Sequence, residues 1–153
     1  MSGPWLCNHL WEHYLFTKDA NFLKKYYPIL KGAATFCSEW LVKNSKGELV
    51  TPVSTSPENA YLMGDHTPAS VCEGSTMDIA IIRSLFSNTI QAAEILQTDM
   101  DFRSELIKKR NKLKKYQIGS KGQLLEWDKE YKESEPQPRH VSHLFGLYPG
   151  CDI

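Results

Sequence analysis

The chain lacks any apolar run near the ~20 residues that span a bilayer, and Met1-Ser2-Gly3-Pro4 has neither the basic start nor the apolar stretch of a secretory signal. No membrane partner is expected, and the location stays unread. Net charge is absent too: 18 Lys and Arg balance 18 Asp and Glu, so no overall field draws the chain to nucleic acid. A neutral polar ligand suits that balance. The four cysteines, Cys7, Cys37, Cys72 and Cys151, form no CxxC pair, which argues against a zinc knuckle or redox motif and for buried free thiols. There is no N-x-S/T acceptor, internal repeat or low-complexity tract.

What is present is helical periodicity. Trp5, Leu6, Leu10, Trp11, Tyr14 and Leu15 recur at helical spacing behind Pro4, which suits a first turn. Thr17-Lys18-Asp19 supplies capping side chains for a second face running from Phe22 to Leu41, which Pro28 is expected to divide into a short and a longer helix. Asn44-Ser45-Lys46-Gly47 reads as a turn, and Leu49 to Ser54 as short extended chain. Ser75-Thr76-Met77-Asp78 is a start signal for a buried helix reaching Leu96. A polar helix from Phe102 to Leu113 carries a basic run whose natural place is a solvated face. Gln123 to Trp127 reads as extended, Lys129 to Arg139 as a polar loop, and His140 opens another ordered segment.

Three segments carry possible chemistry. Ser54-Thr55-Ser56-Pro57-Glu58-Asn59 puts one carboxylate in a turn-rich loop, where scaffolds display reactive groups, although such a loop is also an ordinary capped turn. To hold a proton near neutral pH, Glu58 needs a poorly solvated site, to which Tyr61 and Leu62 are placed to contribute. His140 and His143 stand three apart, so that on a helical turn both face one side, as hydrogen-bond donors or as satisfied core histidines. Trp5 and Trp11 are each a core residue or an aromatic wall for a ligand's apolar face. Glu126 is the local alternative for a second carboxylate, against a structural hydrogen-bonding role. Asp128, Glu130, Glu133 and Glu135 read as solvated, and Asp65 beside His66 as loop capping or a pocket mouth. His9-Leu10-Trp11-Glu12-His13 matches an inverted zinc-peptidase pattern, but bulky aromatics surround it and a structural His/Glu network is the plainer reading.

Taken in order, Gly3-Pro4-Trp5-Leu6-Cys7 with His9 to Tyr14, the Ser54 to Asn59 loop, and Pro138-Arg139-His140-Val141-Ser142-His143-Leu144-Phe145-Gly146 through Gly150 resemble the middle of a glycoside hydrolase family 95 catalytic domain. The resemblance runs from about Gly3 to Gly150. That family consists largely of α-L-fucosidases built on an (α/α)6 barrel, often exported from the cell. The resemblance implies an all-α chain forming part of a toroid, residues 1–153 being an interior piece of a single catalytic domain incomplete at both ends. About five or six helices are expected, against twelve in that barrel.

The resemblance further implies an inverting hydrolysis of terminal α-L-fucosyl linkages with Glu58 as general acid. His140, His143, Trp5 and Trp11 would contact the sugar, and no cofactor or metal is called for. The partners implied are a fucosylated oligosaccharide or glycan and the remainder of the domain. The base Asp would lie beyond Ile153, and the Asn residues that hold the attacking water before Met1. A truncated helical module without activity of its own is the competing class.

Overall fold

The computed structural model describes residues 1–153. It divides into two compact units, Met1–Leu41 with Ile81–Leu113, and Val42–Ala80 with Lys114–Ile153. The first contains helices α1 (Ser2–Thr17), α2 (Ala20–Trp40), most of α3 (Thr76–Leu96) and α4 (Met100–Arg110). Asp19 caps α2 as the sequence predicts: its Oδ1 accepts from the backbone N–H of Asn21 at 2.8 Å and of Phe22 at 3.0 Å.

Two expectations are corrected here. Pro28 does not divide α2, which runs unbroken through it. The proline sits on the exposed side, where its missing hydrogen bond falls toward solvent, while Leu23, Tyr27, Leu30, Ala34 and Cys37 bury one continuous opposite face. In α1 the buried stripe is Pro4, Cys7, Asn8 and Trp11; of the expected apolar set only Trp11 is fully buried, Leu10 and Tyr14 are half-buried, and Trp5, Leu6 and Leu15 are exposed. Asn8 takes an inward position because its Oδ1 accepts from Asn88 Nδ2 at 3.1 Å and faces Ser84 Oγ at 3.5 Å on α3. A satisfied amide is tolerated inside, which rotates the helix away from its most apolar side.

The expected all-α class is also corrected. Four helices dominate the regular structure, but the second unit adds three small sheets of two-residue strands. In it β1 (Val42–Lys43) pairs with β2 (Leu49–Val50), and β3 (Ser54–Thr55) with β6 (Val71–Cys72). Strand β4 (Tyr61–Leu62) pairs with both β5 (Pro68–Ala69) and β7 (Lys132–Glu133). Long connections that carry buried backbone must pair its N–H and C=O groups, and short antiparallel ladders do so here. Gln123 to Trp127 forms no strand; a single bridge links Ile118 to Leu124.

A buried polar cluster fixes the start of the loop that carries Glu58. Ser75 begins α3 as predicted, its Oγ lying 3.4 Å from the N–H of Asp78. The Asp78 carboxylate turns to β3 instead of back along its own turn: its Oδ2 accepts from Ser54 Oγ at 2.6 Å, and Ser54 Oγ also accepts from the N–H of Ser75 at 3.1 Å. Burial pushes the Asp78 carboxyl above its ordinary range, while the Ser54 hydrogen bond opposes that shift. Replacing Asp78 by Ala removes the buried acceptor of the Ser54 hydroxyl and leaves it only Ser75, and urea denaturation should register a loss of about 1–3 kcal/mol. A change within error would mean that the cluster does not hold this loop.

Candidate active site

Glu58 follows β3 in the second unit, in a turn closed by the Asn59 N–H donating to Ser56 C=O at 2.9 Å. Arg139 and His140 meet it from the far end of the sequence. Arg139 donates through a terminal guanidinium nitrogen to Glu58 Oε2 at 2.9 Å, and His140 Nε2 lies 3.1 Å from the same oxygen. Arg139 Nε is also 3.2 Å from His140 Nε2. That ring nitrogen serves one neighbour at a time: protonated it donates to Glu58, and bare it accepts from Arg139 or from a protonated Glu58. Ser142, at the start of a 3-10 helix over Ser142–Gly146, donates from Oγ to the carbonyl of Pro57 and ties this segment to the Glu58 loop.

The expectation of a poorly solvated Glu58 is corrected by its surroundings. Its side chain is 68% exposed. The Arg139 guanidinium, then His140, hold its carboxyl below the usual carboxylate range. Tyr61 does not shield it, because its ring is occupied with Trp127 at 5.0 Å and Tyr131 at 3.9 Å. Since the folded value is depressed, the Glu58 contacts add stability above the ordinary carboxylate range and lose it as pH falls through the folded value.

The more sheltered carboxylate is Glu126, 12% exposed. Its Oε2 accepts from Asn59 Nδ2 at 2.8 Å and lies 3.6 Å from Nδ1 of His143, itself 19% exposed. Beside them is a cavity of about 350 Å³ whose wall includes Asn59, Glu126, Trp127, Tyr131, Val141 and His143. The His-x-x-His pair therefore splits. His140 precedes the 3-10 turn and reaches Glu58, whereas His143 lies within it and reaches Glu126. Sequence reasoning had no local signal for the Asn59–Glu126 bond, whose partners are 67 residues apart.

The other residues of interest stand elsewhere. Trp11 is 5% exposed and Trp5 37%, both on α1 of the first unit. His9 Nδ1 is 3.6 Å from Glu12 Oε2, and the His13 ring packs on Phe22 with centroids 3.9 Å apart. These side chains do not converge as metal ligands. Asp65 Oδ1 accepts from the Thr67 N–H at 2.9 Å, as loop capping requires. Glu130 accepts from Ser120 and Gln123, and Asp128 from Tyr131, so neither is only solvated.

The whole chain, residues 1–153, matches the model of the glycosyl hydrolase family 95 catalytic domain. The chain belongs to that family. Over 155 residues it is 45% identical to alpha-L-fucosidase 2 of Arabidopsis thaliana, covering 100% of this chain and 18% of that protein. It is 33% identical to a probable alpha-fucosidase A of Aspergillus niger, covering 99% of this chain and 19% of that relative. This family 95 chain thus spans less than a fifth of the length of either relative.

The electrostatics around Glu58 are open to a direct check. Removing the guanidinium with Arg139→Ala should move the titration of Glu58 upward, toward an ordinary carboxylate, in carbon-13 NMR of labelled glutamate. An unmoved Glu58 titration would show that the ion pair does not set its acidity.

Proposed function

We propose that this chain is an interior part of an (α/α)6 catalytic domain that removes terminal α-linked L-fucose from oligosaccharides or glycans with inversion of configuration. Glu58 is the proton donor to the departing oxygen. The single observation that carries the assignment is the contact of Glu58 Oε2 with His140 Nε2 at 3.1 Å. Family membership and the names of the two relatives supply the reaction class. In inverting hydrolysis one carboxylic acid protonates the leaving oxygen while a second carboxylate activates water some 6.5–9.5 Å away. The base and the groups that hold the water belong to polypeptide beyond this chain.

In the free chain Arg139 and His140 favour the ionised form of Glu58, and the contact with His140 gives a protonated Glu58 a fixed partner for its proton. Enclosure of the site by the rest of the domain and by substrate would remove the water that now screens Glu58, and desolvation raises a carboxyl. The Arg139 ion pair favours a second reading, in which Glu58 stays ionised and accepts hydrogen bonds from sugar hydroxyls.

Leaving-group dependence separates the two. In the full-length protein, Glu58→Gln should lower turnover of a natural fucosyl oligosaccharide by about a hundred- to ten-thousand-fold. An aryl fucoside whose nitrophenolate departs without protonation should be largely spared. Equal losses on both substrates would favour the binding role and discard the acid. The 153-residue chain alone is expected to show no sustained turnover of the oligosaccharide, and activity there would refute the placement of the base elsewhere.

A further inference from the structure

Glu126 is a sheltered carboxylate that faces both segments of the Glu58 site. Its carboxylate takes the side-chain N–H of Asn59, the residue next to Glu58, at 2.8 Å. The same oxygen lies 3.6 Å from His143, three residues beyond His140. Its own backbone is anchored, since the Glu126 carbonyl accepts from the Thr76 N–H at 3.0 Å, at the first turn of α3. Next to it, the Leu125 carbonyl accepts from the Thr76 hydroxyl, and Trp127 is buried against Tyr61. The carboxylate therefore projects from an anchored base toward two segments whose other ties, Arg139 and His140 to Glu58 and Ser142 to the Pro57 carbonyl, are exposed.

Asn59 is well placed to pass this order on. Its Oδ1 accepts from the N–H of Ala60 at 2.8 Å and its N–H closes the turn on Ser56, so holding its amide holds the turn that presents Glu58. We propose that Glu126 is a positioning residue for the proton donor: through its hydrogen bond with Asn59 it sets the Glu58 loop, and it faces His143 of the segment bearing Arg139 and His140 at 3.6 Å. This rests on the reading of Glu58 as the acid. Glu126 touches neither the leaving oxygen nor the water; its role is to accept a hydrogen bond in a fixed place. Displacements of about 1 Å in a catalytic group are enough to cost about a hundredfold.

The test uses the full-length protein and two substrates, a natural fucosyl oligosaccharide and a nitrophenyl fucoside. Glu126→Ala should lower kcat on the oligosaccharide by about ten- to a hundredfold, with KM little changed and the nitrophenyl substrate largely spared. Glu126→Gln, whose side-chain oxygen still accepts from Asn59, should recover most of that loss. Asn59→Ala should reproduce the Glu126→Ala pattern, with no further loss when the two are combined. This variant keeps the test open if Glu126→Ala fails to fold.

Equal losses on the two substrates, or no loss, for both Glu126→Ala and Asn59→Ala would overturn the positioning role while a leaving-group-dependent Glu58→Gln leaves the acid in place. Glu126→Gln as damaging as Glu126→Ala would also overturn it, by giving Glu126 a proton-transfer role of its own. If Glu58→Gln itself shows no leaving-group dependence, the acid assignment falls, and this inference with it.

Discussion

Asp78 is a carboxylate buried at the first turn of α3 and spent on holding a two-residue strand. Everything said of the second unit's site depends on that bond. Strands as short as β3 and β6 hold themselves together poorly, because two residues a side supply few ladder bonds and little apolar burial. The Ser54–Asp78 contact replaces what the ladder cannot provide. It joins a mobile class of structure to a rigid one, and the loop that follows inherits its starting point from the helix. The N-terminal end of a helix is where a buried carboxylate is least unfavourable, since the backbone dipole and the free N–H groups both favour negative charge. Burial still raises the Asp78 carboxyl, so desolvation outweighs its hydrogen bonds, and ionising it costs stability as pH rises toward its folded value.

The helical frame was legible because its signals are local and repeated. The cap at Asp19, the start at Ser75, and the apolar spacing along α2 and α3 all lie within one or two turns of the residues they govern. Two misreadings share a cause. Pro28 and Asn8 are each a residue type with a strong local prejudice, one against helix interiors and one against burial, which the burial of the opposite face of α2 outweighs in the first case and the Asn88 amide in the second. The small sheets could not be read, since a two-residue strand shows no alternation to detect.

The site was half legible for a related reason. Glu58, His140 and His143 stand out in their motifs as candidates, but their pairing does not. Three residues apart on a helical turn would place the two imidazoles together; instead the chain enters its 3-10 turn between them, and each finds a different carboxylate. Asn59 and Glu126 are joined over 67 residues with no intervening repeat that would reveal it. The one usable hint was composition. Leu124, Leu125 and Trp127 surround Glu126 with apolar side chains, and a carboxylate in such company must find a donor.

Two carboxylates joined by one asparagine then occupy opposite environments. Glu58 is exposed, charged and held by a cation whose attraction is weakened by water; Glu126 is sheltered and held by a neutral amide, with an imidazole 3.6 Å away. An exposed ion pair contributes little to stability, so the Arg139 contact is poor mortar for a fold. Its value is directional: it places Glu58 against His140 at low energetic cost, and it can be rearranged when substrate replaces water. The sheltered pair has the reverse character, because moving Glu126 would leave a buried oxygen and the Asn59 amide unmatched. For Glu58 to act as the proposed acid, water and the cation must give way to desolvation in the complete site, whereas Glu126 already has the fixed, sheltered contact that the proposed support requires.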